Sequence, residues 1–129
     1  QAYMPPPPAP QVPPPFVSVA FGSAGEVLEL VNSNGVLTQF DAFGAHVLSG
    51  GVRSASVAFG PAGEVLDVVF QNNQLFQFDS SGAHVLGGGV LSAGAAFTSS
   101  NQEVLDIIFQ DGTLSQFDAA GRHDLGKVS

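Results

Sequence analysis

Three histidines, three aspartates and three pairs of acids recur along this chain at matched intervals, and these are the side chains with which it could do chemistry. His46, His84 and His123 are separated by 38 and 39 residues, and so are Asp41, Asp79 and Asp118. One imidazole per interval suits either a packing residue or a repeated ligand contact. Three imidazoles share one metal only where the chain closes around a threefold axis. Glu26 with Glu29, Glu64 with Asp67 and Glu103 with Asp106 have the look of general acid and base pairs. On a strand, however, residues three apart point to opposite faces, so none of these pairs flanks one glycosidic bond. The second acid of each pair stands among apolar neighbours and needs a partner, for which Gln39, Gln77 and Gln116 recur at the matching interval. Asp41, Asp79 and Asp118 each precede a two-residue step and a glycine, a position where a carboxylate accepts hydrogen bonds from turn amides. The chain has no Gly-x-Ser-x-Gly elbow, no phosphate-cradling glycine loop, no calcium-loop pattern and no cysteine. An enzyme, a cofactor and a metal centre are therefore not expected.

What must position these residues is a repeat. Phe21, Phe59 and Phe97 recur at steps of 38 and 38, while Glu26, Glu64 and Glu103 recur at 38 and 39. The one-residue slip falls between Phe97 and Glu103, where insertions settle in a loop. A period of this size marks tandem supersecondary units that cannot bury their apolar surface singly. The second copy shows the pattern within a unit. Ser56–Phe59 precedes the turn Gly60-Pro61-Ala62-Gly63, and Glu64–Phe70 is a β-branched run too short for a helix. Asn72-Asn73 breaks it, as Asn34-Gly35 and Asp111-Gly112 do elsewhere, with strong hairpin signals. Leu75–Asp79, the turn Ser80-Ser81-Gly82 and Ala83–Leu86 complete the unit. Each unit thus reads as a four-stranded antiparallel meander, and the fold class is all-β: three tandem four-stranded sheets over residues 17–129, in repeats of about 17–54, 55–92 and 93–129.

Residues 1–16 are a different material. Pro5–Pro8, Pro10 and Pro13–Pro15 favour polyproline II, which suits either a stiff spacer or a docking strap. Tyr3, Met4 and Phe16 are the large apolar side chains on this arm and are its expected anchors on a partner. With 11 acids against 3 basic residues and a net charge of −8, the chain repels phosphate backbones and anionic lipid, so nucleic-acid and membrane-surface partners are not expected. No apolar run approaches the ~18 residues of a membrane span. The start at Gln1, with no basic-then-apolar leader, fits a processed terminus, and an extracytoplasmic location, secreted or periplasmic, is expected.

The segment Ser56–Leu66 resembles the opening of a WD40-type β-propeller blade, and Asp111–Gly121 resembles its closing half. Phe40-Asp41, Phe78-Asp79 and Phe117-Asp118 stand where that family usually has Trp-Asp, and its Gly-His pair is missing. The resemblance implies blade-like sheets. Propellers usually close with ~4–8 blades, so three imply pooling between chains, a longer array, or closure of another kind. Ile107–Asp118 also resembles the sugar-binding hairpin of bulb-type lectins, which build a β-prism from three such sheets. The function expected first is a structural or accessory protein that assembles with itself or with a protein partner. The alternative is a multivalent glycan binder, its repeated sites drawn from His46, His84 and His123 with Asn34, Asn72 and Asp111. Asn32, standing where the other units have Phe70 and Phe109, points to units with different neighbours. Phe21, Phe59 and Phe97, with Leu28, Leu66, Leu105, Phe40, Phe78 and Phe117, are expected to be buried in equivalent places.

Overall fold

The computed structural model describes residues 15–128. Tyr3 and Met4, with the rest of the arm before Pro15, lie outside the described residues. Twelve strands run in chain order: β1 (Phe16–Gly22), β2 (Gly25–Val31), β3 (Leu37–Asp41), β4 (Gly44–Ser49), β5 (Val52–Gly60), β6 (Gly63–Phe70), β7 (Leu75–Asp79), β8 (Gly82–Gly87), β9 (Val90–Phe97), β10 (Glu103–Phe109), β11 (Thr113–Asp118) and β12 (Gly121–Lys127). They form three sheets of four strands, each in consecutive order and antiparallel. The hairpins between the second and third strands turn where the sequence allows positive φ. Gly35, Asn73 and Gly112 take φ of 84°, 69° and 87° there.

The register is the same in each unit. Phe21 lies opposite Glu26, Phe59 opposite Glu64 and Phe97 opposite Glu103. The extra residue of the third unit is absorbed between these partners, where Thr98 N donates to Gln102 O and Asn101 takes φ 64°. One backbone bond ties each unit to the chain segment after it. Val52 N donates to Gly35 O at 2.9 Å, Val90 N to Asn73 O at 2.9 Å, and Val128 N to Gly112 O at 2.8 Å.

The sheets stand in a row. β1 and β2 pack along β5, and β5 and β6 pack along β9, while the first and third sheets do not pack face to face. A threefold prism is therefore not formed by these sheets. Because side chains alternate along a strand, the middle sheet sends one set of residues into each seam. Val57, Leu66 and Val68 join Val31 and Leu37 of the first sheet in one core. Val69 and Leu75 join Val90 and Ile107 of the third sheet in the other. Contact is closest at the inner strands, and the outermost strands β4, β8 and β12 are almost wholly exposed. At each seam a phenylalanine of the later sheet lies on a glycine of the earlier one. A Cβ at Gly22 would come within 2.5 Å of the Phe59 ring, and one at Gly60 within 2.5 Å of the Phe97 ring.

Equivalent burial of the repeated phenylalanines and leucines is not what the structure shows: Leu66 alone is buried, Phe59, Phe78, Phe97, Phe117, Leu28 and Leu105 are half-buried, and the first unit departs furthest. Phe21 is 74% exposed and Phe40 38% exposed, whereas Leu66 at the middle of the series is 5% exposed. All of these residues point toward the preceding sheet, and the first sheet has none among the described residues.

Candidate functional site

Each seam is pinned by one amide held between two acids. Gln39 Nε2 donates to Glu29 Oε1 within the first sheet and to Glu64 Oε1 of the second at 2.9 Å. Gln77 Nε2 repeats the arrangement, donating to Asp67 Oδ1 at 3.0 Å and to Glu103 Oε2 of the third sheet at 2.5 Å. The local half follows from register, since Glu29 pairs with Gln39 and Asp67 with Gln77 on adjacent strands. Burial pushes the Glu29 carboxyl up to about 7 against the pull of the Gln39 amide, and the nearby Glu64 charge adds to the rise. Asp67 is pushed up to about 6 by burial, with Glu103 acting in the same direction. Glu29 Oε2 and Asp67 Oδ2 are buried without a hydrogen-bond partner, which costs the ionised form further. Acids from neighbouring units therefore do converge, but the amide hydrogens fill the gap where a cation or a glycosidic oxygen would stand. In the third sheet Gln116 Nε2 donates to Asp106 at 3.0 Å, and no following sheet supplies the second acid among the described residues.

The pairing of the Gln series with the mid-strand acids matches the sequence expectation. The second partners, Glu64 and Glu103, were missed. Opposite faces within one strand separate Glu64 from Asp67, yet opposite faces of neighbouring sheets meet across a seam. The recurrence of Glu26, Glu64 and Glu103 at the same interval as the Gln series was the available signal.

The histidines occupy β4, β8 and β12, on the rim, with side chains 45%, 44% and 46% exposed. His46 Nε2 lies 3.1 Å from Asp41 Oδ1, His84 3.1 Å from Asp79, and His123 3.0 Å from Asp118. The same carboxylate oxygens accept the turn amides of Phe43, Ser81 and Ala120 at 2.8, 2.9 and 2.8 Å. These bonds hold the three carboxyls below their ordinary range. The Phe43 amide is the main cause at Asp41, the Ser81 hydroxyl and amide at Asp79, and His123 followed by the Ala120 amide at Asp118. Among the described residues no group of three histidine or acidic side chains is placed to share a metal ion.

Asn34, Asn72 and Asp111 sit at the other end of the sheets. Their side-chain oxygens accept Val36 N at 3.3 Å, Gln74 N at 3.1 Å and Thr113 N at 2.9 Å, so each holds its own hairpin turn. The strands β3, β7 and β11 separate them from the histidines, and the two series do not converge. Phe16 opens β1 opposite Val31 and is 40% exposed. The first seam splays toward its rim into a cleft of about 480 Å³, lined by Leu48, Phe70 and Phe78 above the Gln39 and Glu64 contact. Compared with known proteins, the chain matches no family model and no curated sequence.

Proposed function

We propose that this chain is a non-enzymatic structural or accessory protein that assembles with copies of itself or into a larger complex, through its sheet faces and its proline-rich arm. The observation that carries this reading is the outward face of the first sheet. Val17, Val19 and Phe21 are 57%, 49% and 74% exposed on it, and Phe40 adds to the same side. A contiguous apolar sheet face in water marks an interaction surface. The blade-like resemblance agrees, because blades are covered by further blades. An arm carrying Tyr3 and Met4 adds a low-entropy contact on the partner. Light scattering over a concentration series tests the reading. Association that Val19→Asp abolishes is the expected result, and a folded monomer with no protein partner at any concentration overturns it.

A second reading has one observation in its favour. The three Asp and His pairs are near-copies in their separation, and the three histidines are equally exposed, as a multivalent glycan binder requires. Titration of a glycan against the chain separates the two readings. Three equivalent sites, lost one at a time in His46→Ala, His84→Ala and His123→Ala, would install the binder in place of the assembly protein.

A further inference from the structure

We infer that a second copy of this chain docks head to tail, its first sheet covering the third sheet of its neighbour, with Glu26 of one copy accepting the free amide hydrogen of Gln116 in the other. This names the partner within the assembly reading and rests on it. The two internal seams supply the template. In each, a Gln amide already bonded to the acid beside it reaches across to a Glu near the start of the next sheet, from Gln39 to Glu64 and from Gln77 to Glu103. Gln116 is bonded to Asp106 and reaches no second acid among the described residues. Glu26 stands at the position of Glu64 and Glu103, exposed, with no sheet before it among the described residues. Donor and acceptor of a third seam are thus present on opposite ends of one molecule.

The apolar surfaces match in the same way. Ile108 and Leu114 hold the positions of Val31 and Leu37 in the first sheet and of Val69 and Leu75 in the second. Those four are 0–2% exposed inside seams, whereas Ile108 and Leu114 are only half-buried. Val17, Val19 and Phe40 hold the positions of Ala55, Val57 and Phe78, which cover the first seam. The surfaces are complementary and different, so the contact is heterologous, and such contacts form rings when their rotation closes. Two copies would close at six sheets, within the ~4–8 range for propeller-like rings.

Two positions make this seam weaker than the internal ones. Thr98 stands where Gly22 and Gly60 receive a phenylalanine ring, so its side chain crowds the incoming Phe21. Asn32 stands where Phe70 and Phe109 fill their cores. Association is therefore expected to be reversible and to need micromolar protein.

Sedimentation of the full chain, up to about 200 μM, reads the assembly, and paired cysteine variants read its geometry. The native chain has no cysteine. The expected results are a reversible dimer, a loss of affinity of about tenfold or more in Glu26→Lys, and a gain of about threefold or more in Thr98→Gly. A short bis-maleimide should join Glu26→Cys to Gln116→Cys in a mixture, in preference to like with like. Assembly that crosslinks only like with like, or is untouched by Glu26→Lys, overturns the head-to-tail seam while leaving self-assembly standing. A folded monomer throughout the series overturns both the seam and self-association.

Discussion

The outward face of the first sheet and the matching face of the second carry the same kinds of residue, and only the second is covered. Leu66 and Val68 are 5% and 1% exposed in a seam, and Phe78 packs beside them. Leu28, Leu30 and Phe40 occupy the same places one unit earlier and border solvent. Pattern within a unit decides which face is apolar, and the order of units decides which apolar face is dry.

The largest effect expected from this contrast comes at its most buried position. Leu75→Ala should lower stability by about 3–4 kcal/mol, since the side chain is wholly enclosed between two sheets. Leu114→Ala, at the same place on the uncovered third sheet, should cost about 1 kcal/mol in the dilute monomer. Urea unfolding of the two variants measures the gap, and equal losses would mean that the third sheet is covered in solution. Phe78→Ala against Phe40→Ala asks the same of the other end. About 3 kcal/mol is expected for the first and under about 1 kcal/mol for the second.

The buried acids set a pH dependence of less usual sign. Glu29 rises from an ordinary 4.5 to about 7 in the fold, and Asp67 from 3.8 to about 6. Between those values the folded chain keeps protons that the unfolded chain has released, so their contribution is full below the lower values and is lost as pH climbs through the higher ones. Stability should fall on the order of 2–4 kcal/mol from pH 5 to pH 8. Asp41, Asp79 and Asp118 act oppositely. Their carboxyls are lowered, so the stability they add is present above 3.8 and is lost as pH falls further. Melting temperatures across pH 3–8 should therefore peak near pH 4, and Glu29→Gln with Asp67→Asn should flatten the alkaline side. A profile that climbs steadily to pH 8 would show these acids ionised in the fold.

A smaller effect separates closed from open glycines. Gly60→Ala sets a methyl against the Phe97 ring and should cost about 1–3 kcal/mol. Gly87→Ala meets nothing within 4 Å and should change the denaturation midpoint little. If the two variants unfold alike, the ring and the glycine do not press on each other in solution.

Much of the fold was legible because it is local. Strand runs, paired turn residues and a constant interval yielded three meanders, and the loop at 98–102 took up the slip as expected. The pairing of Glu29 with Gln39 was legible too, being one register step across a hairpin. What the sequence hid was relation between units. Phe21 and Phe78 look alike along the chain, and a sheet order is needed to tell that one has a neighbour and the other has none. The second acid of each bridge was hidden for the same reason. The histidines and the Asn34 series kept a common interval yet lie at opposite ends of their sheets, since an interval shows equivalence between units and says nothing of nearness within one.

The glycine and phenylalanine contacts at the two seams also make this chain extensible in fixed steps. A second copy of residues 52–89 placed after Gly89 would bring its own Phe59 to the Gly60 before it, its Glu64 to the Gln77 before it, and its Val52 amide to Asn73 O. Every surface at the new junction would already have its counterpart, because the middle unit carries both halves of a seam. The array can therefore lengthen or shorten by whole units of 38 residues without inventing a new contact, while an insertion of any other length inside a strand would put each later seam out of step.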